Sequence, residues 1–188
     1  MGKIIVQQAV SLDGFAADAN GETSFFYAVD DWTEPDTEQL DQLDAISHMV
    51  LGGNTYREFV EFWPTEQSLD EIIADKLNAL DKVVFSRTLK RAPWGDYPGA
   101  TIVRGDAART LRKIADDATG DVIVWGSLSL TDQLFQEGGV DEVQLRICPM
   151  AVGAGRRVFP DGFRTDALRL RHARGYHSGL VRADYALT

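Results

Sequence analysis

The sequence predicts a mixed α/β fold: a sheet with helices packed on it, parallel in its first part and antiparallel at its C-terminal end. Three observations predict it. Several short apolar runs are each followed by small polar residues and then by helical periodicity. One run, Val122-Ile123-Val124-Trp125, is apolar throughout, as suits a central strand covered on both faces. Towards the C-terminus the pattern changes to period-two alternation, the signature of strands with one wet face.

Lys3–Val10 reads as a buried strand, followed by a long loop carrying Leu12-Asp13-Gly14-Phe15. Thr33-Glu34-Pro35-Asp36 reads as a helix start, with Thr33 as cap, Pro35 in the first turn and Asp36 at the capping-box position. This helix is expected to run to about Ser47, burying Leu40, Leu43 and Ile46. Met49–Leu51 is a short strand ending in Gly52-Gly53-Asn54-Thr55, and Tyr56–Phe62 is helical. Ser68–Leu80 has Leu69, Ile72, Ile73, Leu77 and Leu80 on one helical face. Val83–Phe85 and Thr101–Val103 are strands, the second followed by a helix through Leu111 and Ile114. Val122–Trp125 leads through Gly126-Ser127-Leu128-Ser129 into a helix reaching Phe135. Val143/Leu145/Ile147, Leu168/Leu170 and Val181/Ala183/Tyr185/Leu187 alternate with polar residues and read as antiparallel strands.

At 188 residues and 44% apolar composition the chain is expected to fold as one domain with a substantial core. A net charge of −10 argues against nucleic-acid or anionic-membrane partners. The first apolar run breaks at Gln7-Gln8, so no signal peptide is read, and no stretch reaches membrane-spanning length. A single cysteine, Cys148, permits no intrachain disulfide, and the protein is expected in the cytoplasm. The charge is unevenly spread. No Lys or Arg lies between Lys3 and Arg57, whereas Lys82, Arg87, Lys90, Arg91 and Arg104 follow closely, as if reserved for a small anion.

Chemistry is expected where strands end in small polar residues: Gly52-Gly53-Asn54-Thr55, Ser86-Arg87-Thr88 and Gly126-Ser127-Leu128-Ser129. In open α/β sheets the ligand crevice lies beyond the carboxyl ends of the strands. A helix N-terminus there offers unpaired N–H groups to phosphate, and glycine lets the backbone approach closely. Three such loops favour a nucleotide site over three unrelated turns. The usual fingerprints are missing: Gly153-Ala154-Gly155 continues to Val158 where a third glycine belongs, and no phosphate-loop motif occurs.

In order and spacing, these segments resemble the dihydrofolate-reductase-like superfamily, and within it the RibD C-terminal (riboflavin-biosynthesis reductase) domain. The resemblance covers nearly the whole chain. It rests on Ser11-Leu12-Asp13-Gly14, Leu51–Tyr56, Val84–Leu89, Val122–Ser127, Val140–Val143, Pro149 and Gly153–Phe159. It implies a three-layer fold with NADPH across the parallel strand ends. Thr55 and the helix after Gly52-Gly53 would hold the pyrophosphate with Gly126–Ser129, and Ser86, Arg87 and Arg104 the 2′-phosphate. Ala9 and the Gly14-Phe15 loop would hold the nicotinamide. It also implies a homodimer, for which the alternating C-terminal strands offer an apolar face.

On the substrate side, a gapless count from Gly52 places Asp36 at the family's active-site carboxylate, and Leu80 where folate enzymes keep an arginine for the glutamate tail. Folate is therefore not the expected substrate. Asp36, Asp13 or an ordered water is the candidate proton donor, and Trp32 a candidate substrate wall. The reading is an NADPH-dependent reductase of a small C=N or C=O compound, with pterin- or pyrimidine-like molecules among the candidates. The alternatives are 5-amino-6-(5-phosphoribosylamino)uracil reductase and a nucleotide-binding protein without catalysis. His48, His172 and His177 show no metal-ligand spacing, so no metal is expected, and Cys148 reads as a small core residue.

Overall fold

The computed structural model describes residues 1–187. Its centre is β1 (Ile4–Ser11), buried along its whole length because strands flank it on both sides and layers cover both its faces. On one side lie β6 (Asp121–Trp125), β3 (Ile46–Gly52), β4 (Asp81–Phe85) and β5 (Thr101–Val103). On the other lie β7 (Glu142–Cys148), β10 (Val181–Leu187) and β9 (Leu168–Gly175), giving the order β5-β4-β3-β6-β1-β7-β10-β9. The first six strands in that order, β5, β4, β3, β6, β1 and β7, are all parallel to their neighbours, and β10 runs antiparallel to both β7 and β9. A separate ribbon pairs β2 (Phe15–Asp18) with β8 (Gly155–Arg157).

Period two assigns the sheet's two faces. Val6, Val50, Val122, Val124 and Val143 pack with Leu111, Ala115 and Leu134 of α4 (Ala107–Asp117) and α5 (Leu128–Gln136). Ile5, Met49, Leu51, Val84 and Ile123 pack the opposite way. They meet Leu43 of α1 (Thr33–Leu43), Tyr56 of α2 (Gly53–Phe62) and Leu77 of α3 (Ala74–Ala79). The result is the three-layer, mostly parallel dihydrofolate-reductase-like fold. No described helix is long and apolar enough to cross a membrane.

Four local expectations are corrected. Thr33 does not cap α1; Asp31 Oδ1 accepts from the Thr33 N–H at 2.8 Å, and the helix stops at Leu43 so that Ile46 can open β3. Ser68–Leu80 is not one helix. The Ser68 hydroxyl donates to Trp63 O at 2.6 Å and tight turns follow, leaving Leu69 and Ile72 exposed and only Ala74–Ala79 helical. Strand β7 has no wet face, because α1 covers Gln144 and Arg146, both buried. Strand β9 is the reverse: nearly every residue is exposed, including Leu170.

The ends of β3 and β6 approach unusually closely. A Cβ at Gly52 would stand 2.2 Å from Ser127 Oγ, and one at Gly126 2.8 Å from the Thr55 side chain. Gly52→Ala is therefore expected to destabilise the fold by about 1–3 kcal/mol through overpacking. Chemical denaturation checks this, and a variant of wild-type stability would mean that the strand ends can spread.

Candidate active site

The four parallel strands β3 to β6 end in Gly52, Phe85, Val103 and Trp125, and all four residues line one cleft of about 1120 Å³. That exceeds the roughly 300–1,000 Å³ of ordinary small-molecule pockets.

In the middle of the cleft two helices begin. Helix α2 starts directly after Gly52 with no side-chain cap, so its first-turn N–H groups face the cleft unpaired. Helix α5 starts after Ser127, whose backbone sits in the left-handed region at φ 57°, ψ 64°. Such a conformation in a non-glycine residue is held only by its surroundings. Here the Ser127 Oγ accepts from the Gly52 N–H at 2.6 Å and lies 2.8 Å from Thr55 Oγ1.

Cations gather at the β4–β5 edge. Arg87 makes no hydrogen bond or ion pair with another described residue, and Arg104 donates to Leu89 O at 2.7 Å from an exposed position. Ser86 and Thr88 line the cleft beside them.

The opposite pole lies under α1 and is built differently. Asp36 is half-buried and makes no side-chain hydrogen bond to a described residue. Burial raises its pKa to about 6, the Glu71 carboxylate adds to the rise, and the Arg146 guanidinium opposes it. Trp32 and Trp125 are among the walls. Beneath them Trp125 Nε1 donates to Gln7 Oε1 at 2.7 Å, and Gln7 Nε2 donates to Gln39 Oε1 at 2.8 Å. Arg146 is 6% exposed, and its burial lowers its pKa to about 10.

The structure thus brings Ala9, Gly52, Gly53, Asn54, Thr55, Ser86, Arg87, Thr88, Arg104, Gly126, Ser127, Leu128, Ser129, Trp32 and Asp36 around one cleft. Asp13, Gly14 and Phe15 are not among its lining residues. Asp13 is a staple. Its carboxylate accepts from the Ser11 hydroxyl at 2.6 Å, from Gly153 N at 2.8 Å and from Val152 N at 3.2 Å, contacts that lower its pKa. It therefore stays ionised and is no proton donor. Gly14, at φ 85°, turns the chain, and the Phe15 ring lies under the Arg157 guanidinium. Their neighbours Ala16 and Ala17 reach the cleft instead. Cys148 is fully buried, its thiol pushed up to about 11, as befits a core residue.

Sequence reasoning missed Gln7, Gln39, Glu71 and Arg146. Two adjacent glutamines inside an otherwise apolar strand were the available signal, since a strand buried on both faces has no solvent for them.

A cleft across the carboxyl ends of a mostly parallel sheet is where open α/β proteins bind their ligands. The RibD C-terminal domain family matches residues 2–182, and the chain belongs to that family of reductase domains. The sequence is 28% identical to an uncharacterized protein, YyaP, of Bacillus subtilis strain 168, over 97% of this chain and 94% of that one. The fold is similar to a putative riboflavin biosynthesis protein from Shewanella sp. PV-4, with a TM-score of 0.77 and 19% identity over 99% of both chains. It is also similar to a deaminase/5-amino-6-(5-phosphoribosylamino)uracil reductase from Thermotoga maritima. There the TM-score is 0.67 at 15% identity, over all of this chain and 57% of that one.

The raised pKa of Asp36 has a stability consequence. Its carboxyl binds its proton more tightly folded than unfolded, so the contribution of this one group to stability is fully present below about pH 4 and is lost as pH rises from 3.8 through about 6. Asp36→Asn removes that loss. The variant is expected to be more stable than wild type by about 1 kcal/mol at pH 8, after allowance for partial exposure, and the gain shrinks as pH falls towards 4. Thermal melts from pH 4 to 8 check this. A variant less stable at every pH would make Asp36 merely a helix-start residue.

Proposed function

We propose that this protein is an NADPH-dependent reductase that adds hydride to a C=N or C=O group of a small heterocyclic substrate. One observation carries the reading: a single cleft has an unpaired arginine at one pole, bare helix N-termini in its middle, and a carboxyl of pKa about 6 at the other. An extended nicotinamide dinucleotide matches that order, with its 2′-phosphate, pyrophosphate and ring set along the three regions.

The residues fit the group. Arg87 and Arg104 suit a phosphate through charge-assisted hydrogen bonds, and Ser86 and Thr88 add hydroxyls beside it. The first turns of α2 and α5 suit the pyrophosphate, because N–H groups and helix dipoles favour an anion there. No bulkier residue fits at Gly52, where a Cβ would meet Ser127.

When bound, NADPH supplies the hydride. The chain supplies orientation and the proton. Asp36, protonated below about pH 6, gives that proton to the nitrogen or oxygen of the reduced bond, and burial, with the Glu71 carboxylate adding to it, keeps the pKa high enough for it to do so. The Trp32 and Trp125 rings among the walls suit a flat substrate. The Thermotoga fold neighbour favours a second reading, pyrimidine reduction in riboflavin synthesis, which requires a place for a ribose phosphate at the Asp36 pole.

Arg87→Ala is expected to weaken NADPH roughly 10-fold or more while changing NADH little, since one charged contact is worth about 1–3 kcal/mol. Fluorescence titration with both cofactors checks it, and equal losses would remove Arg87 from the 2′-phosphate site.

Activity is expected to fall as pH rises through about 6, in step with Asp36. Asp36→Asn should slow turnover by roughly 10²-fold with NADPH affinity unchanged. In Glu71→Gln the fall should begin at lower pH, because a charge that raised the Asp36 pKa is gone. Rate–pH profiles on an accepted substrate decide, and an unchanged profile in Glu71→Gln would place the proton donor elsewhere.

A further inference from the structure

Behind α1, the charges of the buried side chains balance only when Glu38 is counted. Strands β7 and β10 bring two arginines, Arg146 and Arg182, against one carboxylate, Asp184. Arg146 and Asp184 are buried, and the Arg182 side chain is 11% exposed. Asp184 is divided between the two cations. Its Oδ2 accepts from Arg182 Nε at 2.8 Å, whereas its Oδ1 stands 3.6 Å from Arg146 Nη1, too far for a hydrogen bond. Neither of those last two atoms has a hydrogen-bond partner among the described residues. Arg146 Nη2 donates to the neutral Gln39 Oε1 at 3.0 Å. A buried cation answered by a shared carboxylate is short of negative charge, and it is drawn to any further carboxyl within reach.

The missing negative charge is supplied by Glu38. It accepts from Arg182 Nη1 at 3.1 Å and from the Tyr176 hydroxyl at 2.6 Å, and Arg174 and His172 face it from β9. Arg174 is shared in turn with Glu34 at 3.6 Å. Without Glu38, Arg182 would take Asp184 for itself. Arg146, which already feels the like charge of Arg182, would then turn to the carboxyl on its cleft side. That carboxyl is Asp36, three residues before Gln39 and on the same face of α1. The charged groups that act on Asp36 are Glu71, from the turns before α3, and Arg146, from β7. Glu38 is not among them, so its influence on Asp36 runs through Arg182, Asp184 and Arg146.

We infer that Glu38 is a positioning residue: it answers Arg182, leaves Asp184 to Arg146, and so keeps Arg146 from forming an ion pair with Asp36. An Asp36 paired with Arg146 would be ionised and would have no proton to give. Only the use of that proton in catalysis rests on the reductase reading.

The test is pH titration of the Asp36 carboxyl carbon by NMR in the cofactor-free protein, with Asp36→Asn to identify its signal. Two variants, Glu38→Gln and Arg182→Gln, remove the same ion pair and loosen α1 from β10 alike, but they change the charge in opposite senses. Glu38→Gln is expected to lower the Asp36 midpoint by roughly half a pH unit or more, because Arg146 then turns to Asp36. Arg182→Gln releases Asp184 to Arg146 and is expected to raise the midpoint. Melting curves show whether each variant folds, and if only one does, the direction of its own change decides. The inference is overturned if the midpoint fails to fall in Glu38→Gln or fails to rise in Arg182→Gln; a fall in both would mean that a loosened helix, not charge, is responsible. No turnover is read, so a protein that reduces nothing overturns the reductase reading and leaves the titration to decide the role of Glu38.

Discussion

The cleft depends on the close approach of two parallel strand ends. Gly52 closes β3 and donates its N–H to the Ser127 hydroxyl just beyond β6, while Thr55 reaches the same oxygen from the first turn of α2. One side-chain oxygen therefore ties two helix starts together, and it requires Ser127 to hold a left-handed backbone. A residue larger than glycine at 52 would push the strands apart, and the unpaired N–H groups of α2 and α5 would no longer share one cleft. Strain of this kind persists only where packing overdetermines it, and here the fully buried Val50 and Val124 run directly beneath.

The opposite pole is fixed from behind. Helix α1 carries Asp36 and Gln39 towards the cleft and Glu38 away from it. Glu38 accepts from the Tyr176 hydroxyl at 2.6 Å and from Arg182 at 3.1 Å, and it also pairs with Arg174. The C-terminal strands thus clamp the helix that positions the candidate proton donor. They have no part in the β4–β5 edge of the cleft but set the geometry of its α1 pole. The chain of Trp125, Gln7, Gln39 and Arg146 continues this clamp under the cleft floor, which is why those polar side chains are buried at all.

The strand-end half of the cleft was legible in the sequence because its signals are local. A strand, a glycine or serine and a helix start are neighbours in the chain, so Gly52–Thr55, Ser86–Thr88 and Gly126–Ser129 could be read without knowing the fold. The α1 half is assembled from α1, β1 and β7 across more than a hundred residues. Alternation in β7 suggested that Gln144 and Arg146 faced water, yet period two shows only that they share a face. That face is covered by α1, which tertiary packing decides. Asp13 was misread for a similar reason: the N–H groups that it binds, at Val152 and Gly153, belong to a distant turn. The Ser68–Leu80 periodicity failed because a serine hydroxyl competed for backbone carbonyls, an effect that hydrophobic spacing does not register.

The central claim is that one dinucleotide spans the cleft, its reduced nicotinamide near Trp125 and its adenosine phosphate at Arg87. The most direct measurement is energy transfer from tryptophan to bound reduced nicotinamide during NADPH titration, repeated with adenosine 2′-monophosphate and adenosine 5′-monophosphate as competitors. The account predicts saturable transfer that the 2′-phosphate displaces far better than the 5′-phosphate. Absent transfer, or transfer that both nucleotides displace equally, would contradict it.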